Sequence, residues 1–237
     1  TPVARARRCH VKDAAGLILA EDVIAQRSNP PEPNTAVDGY GFAFASLGAA
    51  PHELPLIMGR AAAGVMFDGD VPMGHAIRVL TGAALPRGVD TVVLEEDVNT
   101  DGARIAFNGP IKQGSNSRKA GEDVSAGDMV LREGRVVTPA DMALLSAVGV
   151  GEVAVFEPLR VGVLSTGDEL VEVGAQAGAG QIYDANRPML LAQLRNWGFD
   201  AIDLGRAPDD RATLRGMLNE GAARFDAILT SGGASAG

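Results

Sequence analysis

The apolar run Arg160-Val161-Gly162-Val163-Leu164 empties directly into Ser165-Thr166-Gly167-Asp168-Glu169-Leu170. The same grammar recurs at the end of the chain, where Ala227-Ile228-Leu229-Thr230 enters Ser231-Gly232-Gly233-Ala234-Ser235-Ala236-Gly237. A strand that ends in small hydroxyl and glycine residues leaves backbone N–H groups free to meet a phosphate or another oxyanion. Carboxylates stand beside these donors: Asp168 and Glu169 in the first loop, and Asp209-Asp210 after an intervening apolar segment. Donors for an anion next to ligands for a cation suit a phosphate accompanied by magnesium. Neither loop matches the phosphate-loop or dinucleotide fingerprint, so each alone is also compatible with an ordinary turn. The acids have a plain alternative too. One member of the 209–210 pair can cap the helix that follows, and Asp168 and Glu169 can favour the N-terminus of a helix after the first strand.

Three earlier clusters carry polar groups at turns. Asp38 sits in Thr35-Ala36-Val37-Asp38-Gly39-Tyr40, behind a proline-rich stretch; Thr81 opens Thr81-Gly82-Ala83-Ala84-Leu85-Pro86-Arg87-Gly88; and Gly114 to Asp123 includes Arg118 and Lys119. Taken singly these read as a turn residue, an exposed hairpin loop and solvated surface charges.

The elements that must position these residues follow from the pattern around them. From residue 160 the chain alternates strand, helix, strand, helix, strand. One helix spans about 187–197, with Pro188 near its start and Leu190, Leu191 and Leu194 inside. A second follows Asp209-Asp210 through Leu214, Met217, Leu218 and Ala222, and strands fall near 200–204 and 226–230. Such a right-handed β-α-β-α-β unit is the core of a parallel doubly wound sheet, whose ligands sit at the carboxyl ends of strands. The segments 165–169, 205–210 and 231–237 then share one rim.

Upstream, residues 13–28 show a modest helical or mixed pattern, and Asn29-Pro30-Pro31-Glu32-Pro33-Asn34 reads as an extended linker. Residues 38–112 carry short β-runs at 39–44, 54–62, 77–81, 91–96 and 104–107, with a hairpin turn at 99–102, which suggests a small, barrel-like β domain. Residues 113–121 form its exit loop. The runs 129–131 and 135–137 flank Arg132-Glu133-Gly134 as a second hairpin candidate. Thr138 is placed as an N-cap with Pro139 at the first helical position, Asp141 at N3 and Gly149 as the stop. The intervening helix presents Met142, Ala143 and Leu145 to a core.

Composition narrows the classes. With 237 residues, 46% apolar and 22% charged, the chain reads as two or three globular units. A formal charge of −9 argues against a general nucleic-acid surface. No run approaches the roughly 20 apolar residues of a membrane span. The basic start Arg5-Ala6-Arg7-Arg8 leads into no apolar segment, so a cytoplasmic protein is expected. The single cysteine, Cys9, and the scattered His10, His52 and His75 offer no thiolate or imidazole metal site, which leaves oxygen-bound magnesium or a metal that arrives as an oxyanion. Thr1 in place of a methionine, and a last loop with no helix after it, lead to the expectation that the protein extends beyond both ends.

Taken together and in order, these segments resemble the molybdopterin molybdenumtransferases, the MoeA and gephyrin E-domain family. The resemblance rests on NTAVDGYGFA at 34–43, TGAALPRGVDTVV at 81–93, GSNSRKAGEDVSAGD at 114–128, VGVLSTGDEL at 161–170, GQIYDANR at 180–187 and SGGASAG at 231–237. It implies a multidomain α/β and β protein. A mixed α+β elongated domain (1–33 and 121–157) would carry an inserted small β domain (34–120), and an incomplete, MogA-like doubly wound parallel α/β sheet domain would follow (158–237). The implied reaction inserts molybdenum from molybdate into adenylylated molybdopterin and releases AMP, with Mg2+ assisting. The implied assembly is a homodimer whose site lies between the sheet domain of one subunit and the first two domains of the other, with the molybdopterin adenylyltransferase as a further partner.

By the same resemblance Asp38, Thr81, Asp123, Glu169 and Asp209 are the catalytic positions, with Glu169 and Asp209 on the metal. Ser165, Thr166, Gly167, Asp168, Gly232, Gly233 and Ser235 bind the nucleotide or pterin phosphate. Thr35 and Val37 stand where the family more often has serine and methionine, and Ala234 and Ala236 where valine is usual. The acidic residue, the lysine-proline segment and the β domain expected after the last loop are not in the sequence, so full activity of these residues alone is not expected. Two other functions remain open at this point: a molybdopterin adenylyltransferase, which the long 1–157 region disfavours, and a gephyrin-like scaffold without catalysis.

Overall fold

The computed structural model describes residues 5–232; Gly233 and Ser235 of the last loop lie outside them. The chain opens with β1 (Ala6–His10), β2 (Ile18–Leu19), β3 (Val23–Ile24) and β4 (Asn34–Thr35). A denser β region follows: β5 (Gly39–Phe42), β6 (His52–Ala61), β7 (Ala76–Val79), β8 (Thr91–Leu94), β9 (Asn99–Thr100) and β10 (Arg104–Phe107). After β11 (Ser117–Arg118) and β12 (Met129–Leu131) come α1 (Pro139–Ala147) and β13 (Glu152–Phe156). The last third runs β14 (Arg160–Thr166), β15 (Leu170–Val171), β16 (Ile182–Tyr183), α2 (Asn186–Asn196), β17 (Asp200–Ala207), α3 (Arg211–Arg224) and β18 (Ala227–Ser231). The architecture is a sheet-rich α/β one, divided into two compact units: Thr1–Glu21 with Arg132–Met142 and Glu152–Gly237, and Asp22–Leu131 with Ala143–Gly151. Among the described residues no helix is long and apolar enough to cross a membrane.

In the first unit β14 is the central strand of a parallel sheet ordered β17-β14-β18. Val161 through Thr166 are all buried. That near-continuous burial is what a strand flanked on both edges and covered on both faces requires, and it explains the apolar run without alternation. Val161 and Val163 pack with Leu191 and Leu194 of α2 and Ala201 of β17. The same unit holds the antiparallel sheet β1-β13-β2, in which Val153, Val155 and Leu19 are buried.

The second unit is built on a six-stranded sheet ordered β8-β5-β7-β6-β10-β9. Neighbouring residues of one strand enter different cores because side chains alternate across the pleat. Val93 joins Tyr40, Phe42, Leu54, Ile105 and Phe107 on one face, and Val92 joins Ile77, Val79, Val71 and Val89 on the other.

The expected strands at 39–44, 77–81, 91–96 and 104–107 are found to within a few residues, and β9 pairs with β10 around the 99–102 turn. Four expectations are corrected. The barrel-like reading gives way to a sheet whose end strands, β8 and β9, are not paired with each other. Residues 13–28 are not helical beyond a 3-10 turn at Val11–Asp13, because strand pairing claims them: Leu19 N donates to Arg135 O at 2.9 Å and Ala20 N to Ala154 O at 2.9 Å.

The 129–137 hairpin does not form either. β12 pairs with β3, while residues 135–137 bond to 16–19, so each side takes a partner remote in sequence. Finally, Ala143 is exposed, and α1 buries Leu145 and half-buries Met142. The α1 cap is as expected. Thr138 N donates to Asp141 Oδ2 (2.9 Å) and Asp141 N to Thr138 Oγ1 (3.2 Å), a capping box that satisfies two helix-end donors.

Candidate functional site

Parallel pairing brings the carboxyl ends of three strands level. Ser165 pairs with Arg206 on one side and Ser231 on the other, and Thr166 pairs with Ala207. The loops 167–169 and 208–210 and Gly232 therefore leave the sheet side by side. Asp168 and Asp209 interlock: Asp168 N donates to Asp209 Oδ2 (3.4 Å) and Asp209 N to Asp168 Oδ1 (3.2 Å). Asp210 is the N-cap of α3, accepting from Thr213 N at 2.8 Å and Thr213 Oγ1 at 2.6 Å. The Thr213 hydroxyl, then its N–H, hold the Asp210 carboxyl below its ordinary range. One aspartate caps and its neighbour faces the loop from β14.

No helix starts after β14, which corrects the helix-terminus account of Asp168 and Glu169. The chain passes instead through the parallel pair β15–β16 and reaches α2 only at Asn186. Gly167 has φ +141°, and a Cβ there would overlap the Glu169 carboxylate, which folds back over it. Gly232, at φ +100°, crosses so close to β14 that a Cβ would overlap the Thr166 carbonyl and lie 2.7 Å from Thr166 Oγ1. Backbone conformation favours glycine at both positions, and at Gly232 the approach to the β14 backbone adds a steric requirement. Thr166 Oγ1 donates to Ser231 O at 3.5 Å. Ser165 Oγ is fully buried and makes no hydrogen bond of good geometry, with the Asp184 carboxylate as the acceptor close to it.

Several rim residues were not foreseen. Arg187 is buried and pairs with Asp184 (2.9 Å), Asp203 (2.7 Å) and Glu172. Asn186 Nδ2 donates to Ser231 Oγ at 3.0 Å, and Arg206 donates to the Leu170 carbonyl. Burial pushes the Asp184 carboxyl up, but the nearby Ser165 hydroxyl and the Arg187 guanidinium outweigh it and hold the group below its usual range. The one local signal for this network was Asp184 three residues before Arg187 in GQIYDANR, the spacing at which side chains meet over one helical turn.

The second unit holds the other candidate positions. Asp38 Oδ1 accepts from both Thr81 N (2.7 Å) and Thr81 Oγ1 (2.6 Å). The hydroxyl first, then the N–H, lower its carboxyl below the ordinary range. Buried Thr35 ties this pair to its surroundings, with Thr35 N to Ala83 O at 3.0 Å, Gly82 N to Thr35 O at 2.9 Å, and Ser117 opposite Thr35 in the β4–β11 ladder. Asp123 pairs with Arg118 and accepts from Asn29 Nδ2 at 3.4 Å. Arg118 stands opposite Asn34 in the same ladder, so the 34–38, 81–83 and 117–123 segments are neighbours.

Among the described residues no group of three or more His, Cys, Asp or Glu side chains is placed to hold a metal ion by itself. Asp168, Glu169 and Asp209 are all hard oxygen donors on one rim. Magnesium is commonly held by one or two carboxylates together with substrate phosphate oxygens, and this donor set fits that mode.

A parallel sheet whose strand ends gather hydroxyls, close-packed glycines and carboxylates is an α/β domain with its candidate ligand rim at the carboxyl ends of the strands. Residues 162–237 match the family model described as a probable molybdopterin binding domain, and residues 2–149 match the MoeA N-terminal region (domain I and II). The chain belongs to the MoeA family. It is 40% identical over 231 residues to a molybdopterin molybdenumtransferase of Haemophilus influenzae, a match that takes in 96% of this chain and 56% of that protein. Identity to molybdopterin molybdenumtransferase 2 of Mycobacterium tuberculosis is 36%, over 94% and 56% of the two chains. A crystal structure of a molybdopterin biosynthesis MoeA protein from Pyrococcus horikoshii superposes with a TM-score of 0.89 at 32% identity, covering 96% of this chain and 62% of that one. The chain thus spans about half the length of the curated relatives it matches.

Proposed function

We propose that this protein acts in molybdenum cofactor biosynthesis, as a transferase that inserts molybdenum from molybdate into adenylylated molybdopterin and releases AMP. The observation that carries the reading is the rim itself: the interlocked Asp168 and Asp209, with Glu169, sit beside Ser165, Thr166 and Ser231 at three level strand ends. Family membership supports the same reading. The match of residues 2–149 to the MoeA N-terminal region favours it over the adenylyltransferase alternative.

In this proposal Glu169 and Asp209 hold magnesium, which when bound offsets negative charge at the phosphoanhydride. Thr166, Gly167, Asp168 and Gly232, with Gly233 and Ser235, cradle the phosphate groups through hydroxyl and backbone N–H donors, while Ser165, buried beneath them, belongs to the same substrate-binding set from below. Asp38, Thr81 and Asp123 complete the catalytic set. The dithiolene of the substrate supplies the sulfur ligands for molybdenum that a chain with one cysteine lacks. The protein's work is to orient, so much of its effect lies in bringing molybdate and the activated pterin together. The proposal extends to a cytoplasmic homodimer and to the molybdopterin adenylyltransferase as the source of its substrate. It also includes the division into an elongated domain (1–33, 121–157), an inserted β domain (34–120) and a doubly wound sheet domain (158–237).

Asp209→Ala and Glu169→Ala in the full-length protein are expected to leave circular dichroism and thermal unfolding near wild type while suppressing magnesium-dependent AMP release by at least tenfold. Wild-type turnover in either variant would overturn the assignment.

A further inference from the structure

Arg187 lies in the first turn of α2 with its side chain 8% exposed, and its guanidinium reaches carboxylates from three separate segments. Each partner leads to a part of the rim. Glu172 directly follows β15, the two-residue strand into which the loop with Asp168 and Glu169 runs, and Arg206 grips the start of that strand at the Leu170 carbonyl. Asp203 Oδ1 accepts from Arg187 Nη1 at 2.7 Å and from Gly205 N at 2.7 Å.

Gly205 is where β17 takes an extra residue against β14. Val163 pairs with Asp203 but Ser165 pairs with Arg206, one residue beyond regular register. A one-residue slip in a strand reverses the faces of everything after it, so this bulge decides where Asp209 emerges. Asp184, the third partner, lies beside the buried Ser165 hydroxyl, and neighbouring Asn186 bonds Ser231.

The buried Asp184 pair serves stability, but stability does not account for the two outer pairs. Asp203 and Glu172 are 47% and 66% exposed, and ion pairs so open to water add little to folding. A planar fork with five donors, by contrast, fixes directions, which a lysine point charge cannot do. We infer that Arg187 is a positioning residue: through Glu172 and Asp203 it holds the Glu169 loop and the β17 bulge so that Glu169 and Asp209 meet magnesium together. The inference rests on the function proposed above.

The test uses Glu172 variants of the full-length protein, since this side chain is the most exposed of the three partners and its loss spares the fold. Amide exchange of residues 167–172 without ligand, and binding of Mn2+ followed by electron paramagnetic resonance, are read beside AMP release. Glu172→Ala is expected to speed loop exchange and weaken Mn2+ each by about fivefold, with β14 exchange unchanged. Glu172→Gln removes the same charge but keeps an acceptor for Arg187, so it is expected to recover most of both losses. Equal losses in the two variants indicate a simple charge effect and overturn the positioning role, as does wild-type exchange in Glu172→Ala. Wild-type protein that binds Mn2+ but releases no AMP refutes the proposed reaction instead, while the exchange response still decides the role of Arg187.

Discussion

Replacing Arg187 by methionine keeps an unbranched apolar stem of similar reach and deletes only the guanidinium. Its partners then fare differently. Asp203 and Glu172, about half and two-thirds exposed, can turn to water, and each loss is worth at most about 1 kcal/mol. Asp184 cannot, because its side chain is 4% exposed. A buried carboxylate deprived of its counter-charge costs about 3–5 kcal/mol, so the variant should lose about 4 kcal/mol. That is a large share of the roughly 5–15 kcal/mol that holds a domain together.

The only tryptophan, Trp197, directly follows α2, so its fluorescence reports the element that carries the change. With a urea slope of about 2 kcal/mol per molar, the Trp197 transition should move down by about 2 M. Adding Asp184→Asn removes the stranded charge and should restore at least half of the loss. Lowering the pH toward 4 should shrink the deficit as well, because protonation discharges Asp184 while wild type gains nothing from it. A midpoint shift worth less than about 1 kcal/mol, or a double variant no better than Arg187→Met, would refute the claim that Asp184 depends on Arg187.

Two further outcomes follow from the geometry. The Arg135 guanidinium, with help from Thr138, lowers the Asp141 carboxyl to about 2 from its ordinary 3.8, so the α1 cap contributes fully above pH 4 and is lost as pH falls toward 2. Asp141→Ala should cost about 1 kcal/mol at pH 7 and flatten the acid limb of the stability curve between those values, as thermal melts across pH would record. Gly232→Ala sets a methyl group against Thr166 O and Oγ1 in a backbone conformation that L residues rarely adopt. It should lower stability at the Trp197 transition by about 1 kcal/mol or more and reduce AMP release at least tenfold, and normal turnover would show that the β14–β18 approach is not needed for function.

Much of the framework is local chemistry and was readable as such. The Thr138–Asp141 capping box and the unbroken apolar run of β14 each carry their own signal within a few residues, as do α2 and α3 by their leucine spacing. Where partners are remote, local reading failed. The 129–137 segment has hairpin grammar, yet its two sides bond to residues near 24 and 18, since pairing energy is set by whichever strand lies alongside and not by the intervening turn. Arg187 was not singled out from the sequence, because nothing adjacent to it announces that Asp203 and Glu172 converge on it.

By itself the sequence determined the chemistry on offer: hydroxyl and glycine loops after apolar strands, carboxylates beside them, and no thiolate or imidazole cluster. Only the tertiary structure decided which of those groups act together. Spacing left open whether Asp209 or Asp210 caps α3, and parallel pairing with one extra residue at Gly205 turned Asp210 into the cap and Asp209 toward Asp168. The reason is physical. Side-chain types are inherited from the chain, whereas the register between strands 40 and 66 residues apart is a property of packing, and a shift of one residue would have reversed the choice.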